Sequence, residues 1–174
     1  MYPSTIKNLI ERRSCRNYKK EQIKDEELNE ILLAGEYAPT GMGLQSPKMI
    51  VLQNKEIIEK LSKLNAKIMG RDIDPFYGAP TVIIVLADKT KMTYIEDGSL
   101  VLGNLMNAAH SLKIGSCWIN RAREEFETEE GKKLLKEWNV PDNYVGIGHC
   151  ILGYREGELP KAKPRKEDYV TIIK

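Results

Sequence analysis

The chain has 174 residues, enough for one domain with a substantial core, and its 41% hydrophobic and 30% charged content is that of an ordinary globular protein rather than a disordered one. A net charge of +2 gives no global basic field of the kind nucleic-acid binders carry. The longest apolar run, Val82 to Ala87, is strand-length, far short of the roughly 20 residues that span a bilayer.

Taken in chain order, Ile6, Leu9 and Ile10 repeat at helical spacing after Ser4 and Thr5, either of which could cap a first helix. An arginine-rich segment follows, from Arg12 to Tyr18. Asp25 opens a second helix with Leu28, Ile31 and Leu32 on one face, ending around Gly35. The loop Thr40-Gly41-Met42-Gly43-Leu44-Gln45-Ser46-Pro47 then leads to a short strand, Met49 to Gln53. Asn54 caps a third helix that buries Ile57, Ile58, Leu61 and Leu64. Residues 65–80 have no clean period and read as a loop or a mobile helical excursion.

Thr81 to Ala87 is β-branched and apolar on both faces, the pattern of a central strand. The helix from about Glu96 to Leu112 is apolar around much of its circumference. Gly115 follows it and leads into Ser116-Cys117-Trp118-Ile119. A charged helix runs from Thr128 to Trp138, and Tyr144 to Gly153 forms another strand. The tail carries two prolines before Arg165 and finishes on the apolar Tyr169 to Ile173. Helices outnumber strands and the order is not a strict βαβ repeat. The expected architecture is therefore one α+β domain over residues 1–174, a mixed central sheet flanked by helices.

Several chemistries lack their residues. The two histidines, His110 and His149, are far apart and flanked by apolar side chains, so they read as packed or surface groups and not as metal ligands. No nucleophile elbow is present. Gly146 and Gly148 begin a dinucleotide-like pattern, but Ile151 stands where its third glycine belongs. Cys15, Cys117 and Cys150 are odd in number and form no CxxC pair, which suits a reducing cytoplasm.

Two basic clusters remain, Arg12, Arg13 and Arg16 near the start and Lys161, Lys163, Arg165 and Lys166 near the end. An arginine fork beside a serine hydroxyl suits a phosphate; a solvated basic face is the plainer reading. Gly41, Gly43 and Gln45 could let the backbone approach a flat heteroaromatic ligand, or could merely turn the chain between helix and strand.

In order, Arg12-Arg13-Ser14-x-Arg16-x-Tyr18, Ala38-Pro39-Thr40-Gly41-x-x-x-Gln45, Asn104-Leu105-Met106-x-Ala108-Ala109-His110 with Gly115-Ser116-Cys117-Trp118-Ile119, and Gly153-Tyr154 with Lys163-Pro164-Arg165-Lys166 resemble the motifs of the nitroreductase family of FMN enzymes. The resemblance covers nearly the whole chain. It implies an intertwined homodimer with FMN at the subunit interface. Arg12, Ser14, Lys163 and Arg165 would hold the flavin phosphate, with Arg13 near the same end and Arg16 near the N1/O2 edge. Pro39, Thr40 and Gln45 would come from the other subunit, and backbone around Ile119 and Asn120 would lie near N5. No protein acid or base is implied. NAD(P)H would deliver hydride and leave before an acceptor such as a nitroaromatic or quinone takes the electrons. Gly43 stands where the family often has Asn, and Ser46-Pro47 where it has Pro-Trp. Two rivals remain: a non-enzymatic FMN-sequestering protein of the same fold, and a basic nucleic-acid-binding module.

Overall fold

The computed structural model describes residues 2–174. Its helices are α1 (Ser4–Glu11), α2 (Asp25–Glu36), α3 (Lys55–Met69), α4 (Tyr94–Ser111), α5 (Ala122–Glu127) and α6 (Glu129–Glu137). Its strands are β1 (Pro47–Leu52), β2 (Thr81–Asp88), β3 (Ile114–Ile119) and β4 (Tyr144–Tyr154).

The strands form one sheet in the order β1-β2-β4-β3. Every pairing between them is antiparallel, with Ile84 opposite both Ile50 and His149, and Ile119 also opposite His149. The expected mixed sheet is thus corrected among the named strands. The parallel component is confined to an isolated bridge between Ser14 and Ser116. β2 and β3 run in the same direction, but the helix between them carries the chain to the far edge and β4 lies between the two strands, so they never pair and no parallel ladder forms.

Residues Thr81 to Ala87 are wholly buried, which is why that segment shows no alternation of polar and apolar residues. Their side chains still alternate between faces. Val82, Ile84 and Leu86 join a core with Ile58, Leu61 and Leu64 of α3 and Phe126, Leu134 and Leu135 of α5 and α6. Ile83 and Val85 join a second core with Leu28 and Ile31 of α2 and Val101, Leu102, Leu105 and Ala109 of α4. The sheet is covered by helices on both sides, as the apolar pattern of β2 and the 96–112 helix implied. Full burial of each such side chain contributes about 1.5–3 kcal/mol.

Local rules account for most ends. Asn54 accepts from the Ile57 N–H at 3.1 Å, so the cap expected for α3 is present, and Thr128 likewise caps α6, accepting from the Gly131 N–H at 3.0 Å. α1 starts differently: Pro3 precedes it and no side chain caps it. Its apolar face is also not core, because no residue of α1 is buried. The 65–80 segment is more ordered than its sequence suggested. α3 continues to Met69 and closes on Gly70 in the left-handed conformation. The following turn wraps around the Asp74 carboxylate, which accepts from the Ser62 hydroxyl at 2.5 Å, the Phe76 N–H at 2.9 Å and the Gly78 N–H at 2.6 Å. Phe76 anchors it in the core. α5 had no counterpart in the periodicity, being too short to show one.

Candidate functional site

The arginine-rich segment lies along the free edge of β3. The Cys15 N–H donates to the Ser116 carbonyl at 2.8 Å, and Tyr18 bridges to Arg155 while its hydroxyl donates to the Cys15 carbonyl at 2.7 Å. Burial, reinforced by the neighbouring cysteines, pushes the Tyr18 phenol far up, which keeps it an O–H donor. Arg13 closes the end of α1, donating to the Ile10 and Arg12 carbonyls at 2.7 Å each. Even so, Arg12 Nη1 and Arg13 Nε are shielded from solvent and have no hydrogen-bond partner among the described residues. A shielded guanidinium nitrogen left unpaired carries a desolvation penalty of about 1–3 kcal/mol, which an anionic ligand would offset.

A cleft of about 190 Å³ opens beside this segment, lined by Ser14, Arg16 and Arg155 among others. Arg155 escaped the sequence reading because it stands alone between the Gly153-Tyr154 pair and the basic tail. It donates to the Lys113 carbonyl at 3.1 Å. Burial and then the Arg155 and Arg12 cations lower the His110 pKa, so this corner is electropositive without that histidine being charged.

Farther along β3 a second cleft, of about 160 Å³, is lined by Arg16, Met69, Tyr77, Ile119, Asn120 and Arg121 among others. Arg16 is exposed, its guanidinium 5.9 Å from the centre of the Tyr77 ring. The two clefts share Arg16, so Ser14, Arg16, Ile119 and Asn120 lie along one continuous edge, while Arg12 precedes Ser14 in the chain and lines neither cleft.

Pro39, Thr40 and Gln45 lie elsewhere, on the loop that precedes β1 at the opposite edge of the sheet. Asp97 of α4, buried at 2% exposure, organises this loop. Its carboxylate accepts from the Gly41 N–H at 2.9 Å and the Ser46 hydroxyl at 2.6 Å. Burial pushes that carboxyl up, but the hydrogen bonds from Ser46, Gly41 and Thr93 prevail and hold it below its ordinary range. Thr40 Oγ1 accepts from the Gln45 N–H at 3.1 Å, and Gln45 adopts a left-handed φ of 49° that leaves its side chain exposed. A Cβ at Gly41 would collide with Thr93. Ser46 is therefore the anchor of the loop, and Gly43, at φ 67°, one of its turns. Asp97 was not legible in the sequence because an acidic residue in a helical first turn looks like an ordinary dipole partner.

Lys163 and Arg165 sit on an exposed tail; Arg165 donates to the Lys163 carbonyl at 3.2 Å, and no hydrogen bond or ion pair joins either to the Arg12 corner among the described residues. The chain thus brings together the Ser14 to Asn120 group and leaves the loop and the tail apart from it.

The sequence profile of the nitroreductase family matches residues 9–75 and 73–154. The chain belongs to the nitroreductase family. A relative from Archaeoglobus fulgidus, whose name pairs NADH dehydrogenase with NAD(P)H nitroreductase, is 32% identical over 159 residues, 88% of this chain and 86% of that protein. A Bacillus subtilis FMN reductase [NAD(P)H] is 27% identical and is covered over 69% of its length by 92% of this chain. A Bacteroides fragilis nitroreductase solved with bound FMN superposes with a TM-score of 0.92 at 30% identity, over 99% of this chain and 100% of that one. A Desulfitobacterium hafniense nitroreductase, also with bound FMN, gives a TM-score of 0.89 at 28% identity, with both chains covered in full.

Replacing Asp97 tests the description of the loop. Asp97→Ala is expected to cost about 3 kcal/mol in urea unfolding, since it strands the Gly41 N–H and the Ser46 hydroxyl. Because the folded carboxyl lies below its unfolded value of about 4, its contribution is complete above that pH and is lost as pH falls through the folded value. The stability gap between wild type and Asp97→Asn should accordingly narrow below pH ~4; a gap that stays constant there contradicts the ionised, buried anchor.

Proposed function

We propose that the chain is an FMN-dependent NAD(P)H oxidoreductase acting on an oxidised acceptor such as a nitroaromatic or quinone. The observation that carries this reading is the unpaired, shielded pair of guanidinium nitrogens at Arg12 and Arg13, next in the chain to Ser14, whose cleft shares Arg16 with the cleft at Ile119 and Asn120. These residues fit the cofactor's polarity: an anion-seeking corner at one end, an exposed cation in the middle and exposed backbone at the other end. Family membership and the FMN-bound neighbours support the same assignment.

Arg12 and Ser14 hold the phosphate, with Arg13 and Arg155 adding positive potential at that end. Arg16 supplies a fixed cation where negative charge gathers on reduction. Lys163 and Arg165 reach a phosphate through the extended tail. When bound, FMN supplies the N5 centre through which a nicotinamide donor and then the acceptor exchange hydride in turn. The protein positions and shields that chemistry, and no side chain is required as acid or base.

The working unit is a homodimer with each site drawn from two chains. Three exposed surfaces support it: the apolar face of α1, with Leu9 49% and Ile10 51% exposed, the exposed Leu33 and Leu100 of α2 and α4, and the tail ending in Ile172 and Ile173. Pro39, Thr40 and Gln45 of the second copy complete the pocket. Residues 1–174 act as one flavin-binding domain, and three buried, unpaired thiols suit a reducing cytoplasm. No helix among the described residues is long and apolar enough to cross a membrane.

The purified protein should be yellow and release FMN, not FAD, on denaturation. Released FAD, or no flavin uptake after incubation with FMN, overturns the assignment. NAD(P)H should bleach the bound flavin and a quinone restore it; binding without bleaching points to a sequestering protein instead. Arg12→Ala should weaken FMN binding by about 2 kcal/mol, roughly 30-fold, by titration. Unchanged affinity would mean that the unpaired nitrogen is not a ligand-seeking group.

A further inference from the structure

Behind the second cleft lies a set of buried polar groups that the proposed chemistry does not use. Glu125 of α5 and His149 of β4 are both wholly buried, with His149 Nε2 2.8 Å from a Glu125 carboxylate oxygen. The other Glu125 oxygen accepts from the side-chain amide of Asn65, itself wholly buried on α3. That same amide donates to the Asn120 carbonyl at 2.8 Å, and Asn65 Oδ1 accepts from Arg121 Nε at 2.9 Å. His149 Nδ1 lies 3.3 Å from the Ile119 carbonyl oxygen.

Burying a carboxyl group, an imidazole and an amide is no route to stability, because well-packed apolar side chains would serve as well or better. What marks this network is its destination. Its outward contacts end on three consecutive residues, Ile119, Asn120 and Arg121, where the chain leaves β3. Arg121 there holds a left-handed φ of 79°, a conformation a non-glycine residue keeps only where its surroundings enforce it. Asn65, Glu125 and His149 do not line the cleft, whereas Ile119, Asn120 and Arg121 do, so the network meets the cleft through this segment. In a planar trans peptide the C=O and the following N–H point in opposite directions. With the Ile119 and Asn120 carbonyls held by the network, the N–H groups of Asn120 and Arg121 are turned away from it.

We infer that Asn65, Glu125 and His149 are positioning residues that fix residues 119–121 so that the Asn120 and Arg121 N–H groups face the bound flavin and set its reduction potential. The inference rests on the proposed FMN reading. A segment held this way presents fixed dipoles that distinguish oxidised from reduced ring, whereas a loosened segment lets them reorient. Glu125→Gln preserves an oxygen for Asn65 and an amide for His149; Glu125→Ala breaks both links.

The test measures FMN dissociation constant and two-electron midpoint potential for wild type, Glu125→Ala, Glu125→Gln and Asn65→Ala. Glu125→Ala should bind FMN at least tenfold more weakly and shift the potential by about 30 mV or more, a tenfold change in the relative affinity for the two redox states. Glu125→Gln should stay within about threefold of wild type in binding, with less than half the potential shift. If Glu125→Ala does not fold, Asn65→Ala, which frees the Asn120 carbonyl, is expected to move the potential in its place. Folded variants with wild-type potential overturn the inference, including those that bind FMN more weakly, since a merely structural role weakens both redox states alike. A wild-type protein that takes up no FMN overturns the cofactor reading and the inference with it; one that binds FMN beside variants of unchanged potential overturns the inference alone.

Discussion

The strand order β1-β2-β4-β3 is the constraint on which the rest depends. β2 is apolar on both faces and must sit inside, with helices above and below it. The polar segments are left to the two outer strands. Residues 12–16 lie against β3, and the Pro39 to Gln45 loop enters β1, three strand spacings away, or about 14 Å. Side chains at opposite edges of one sheet do not converge on one planar ligand. The same order that buries β2 therefore separates these two segments, and under the proposed reading a second copy of the chain reunites them.

Electrostatics follow from that division. At the β3 edge, the end of α1, the start of the bridge to Ser116 and the end of β4 meet, bringing Arg12, Arg13 and Arg155 within reach of His110 and setting Arg155 beside Ser14. Arg13 is largely occupied in closing α1, which leaves Arg12 as the freer cation. At the β1 edge the dominant charge is instead a buried carboxylate. Asp97 does not face a ligand; it stiffens the loop that carries Thr40 and Gln45. Rigid presentation of a few polar groups is what a cofactor site requires when the cofactor carries the reaction.

Much of the fold was legible because the strongest signals are local and physical. The unbroken apolar run at Thr81 to Ala87, the Asn54 cap and the broadly apolar circumference of α4 each translate directly into an element. Strand direction was not legible, since it is set by where a helix returns the chain and not by any residue in the strand. Ile6, Leu9 and Ile10 marked a helix by their spacing, but periodicity reports an apolar face without saying what covers it, and no residue of α1 is buried. Arg12, Ser14, Arg16 and Gln45 stood out by motif. Asp97, Arg155 and the Asn65–Glu125–His149 set did not, because their roles arise from contacts between residues up to 60 positions apart, as for Asn65 and Glu125. Ser46 shows the same limit: read against the family it is a departure, and only its bond to Asp97 explains it.

The most direct test of a site divided between two chains is complementation within a heterodimer. One subunit would lack the Arg12 and Ser14 side chains and the other the Gln45 side chain, each variant being inactive as a homodimer. With shared sites, one of the two sites in the heterodimer collects every defect and the other is intact, so the isolated heterodimer should show close to half the wild-type rate of NAD(P)H-dependent acceptor reduction. Sites contained within single chains would each keep a defect. A heterodimer no more active than the two homodimers, or a Gln45→Ala homodimer with full activity, would contradict the account.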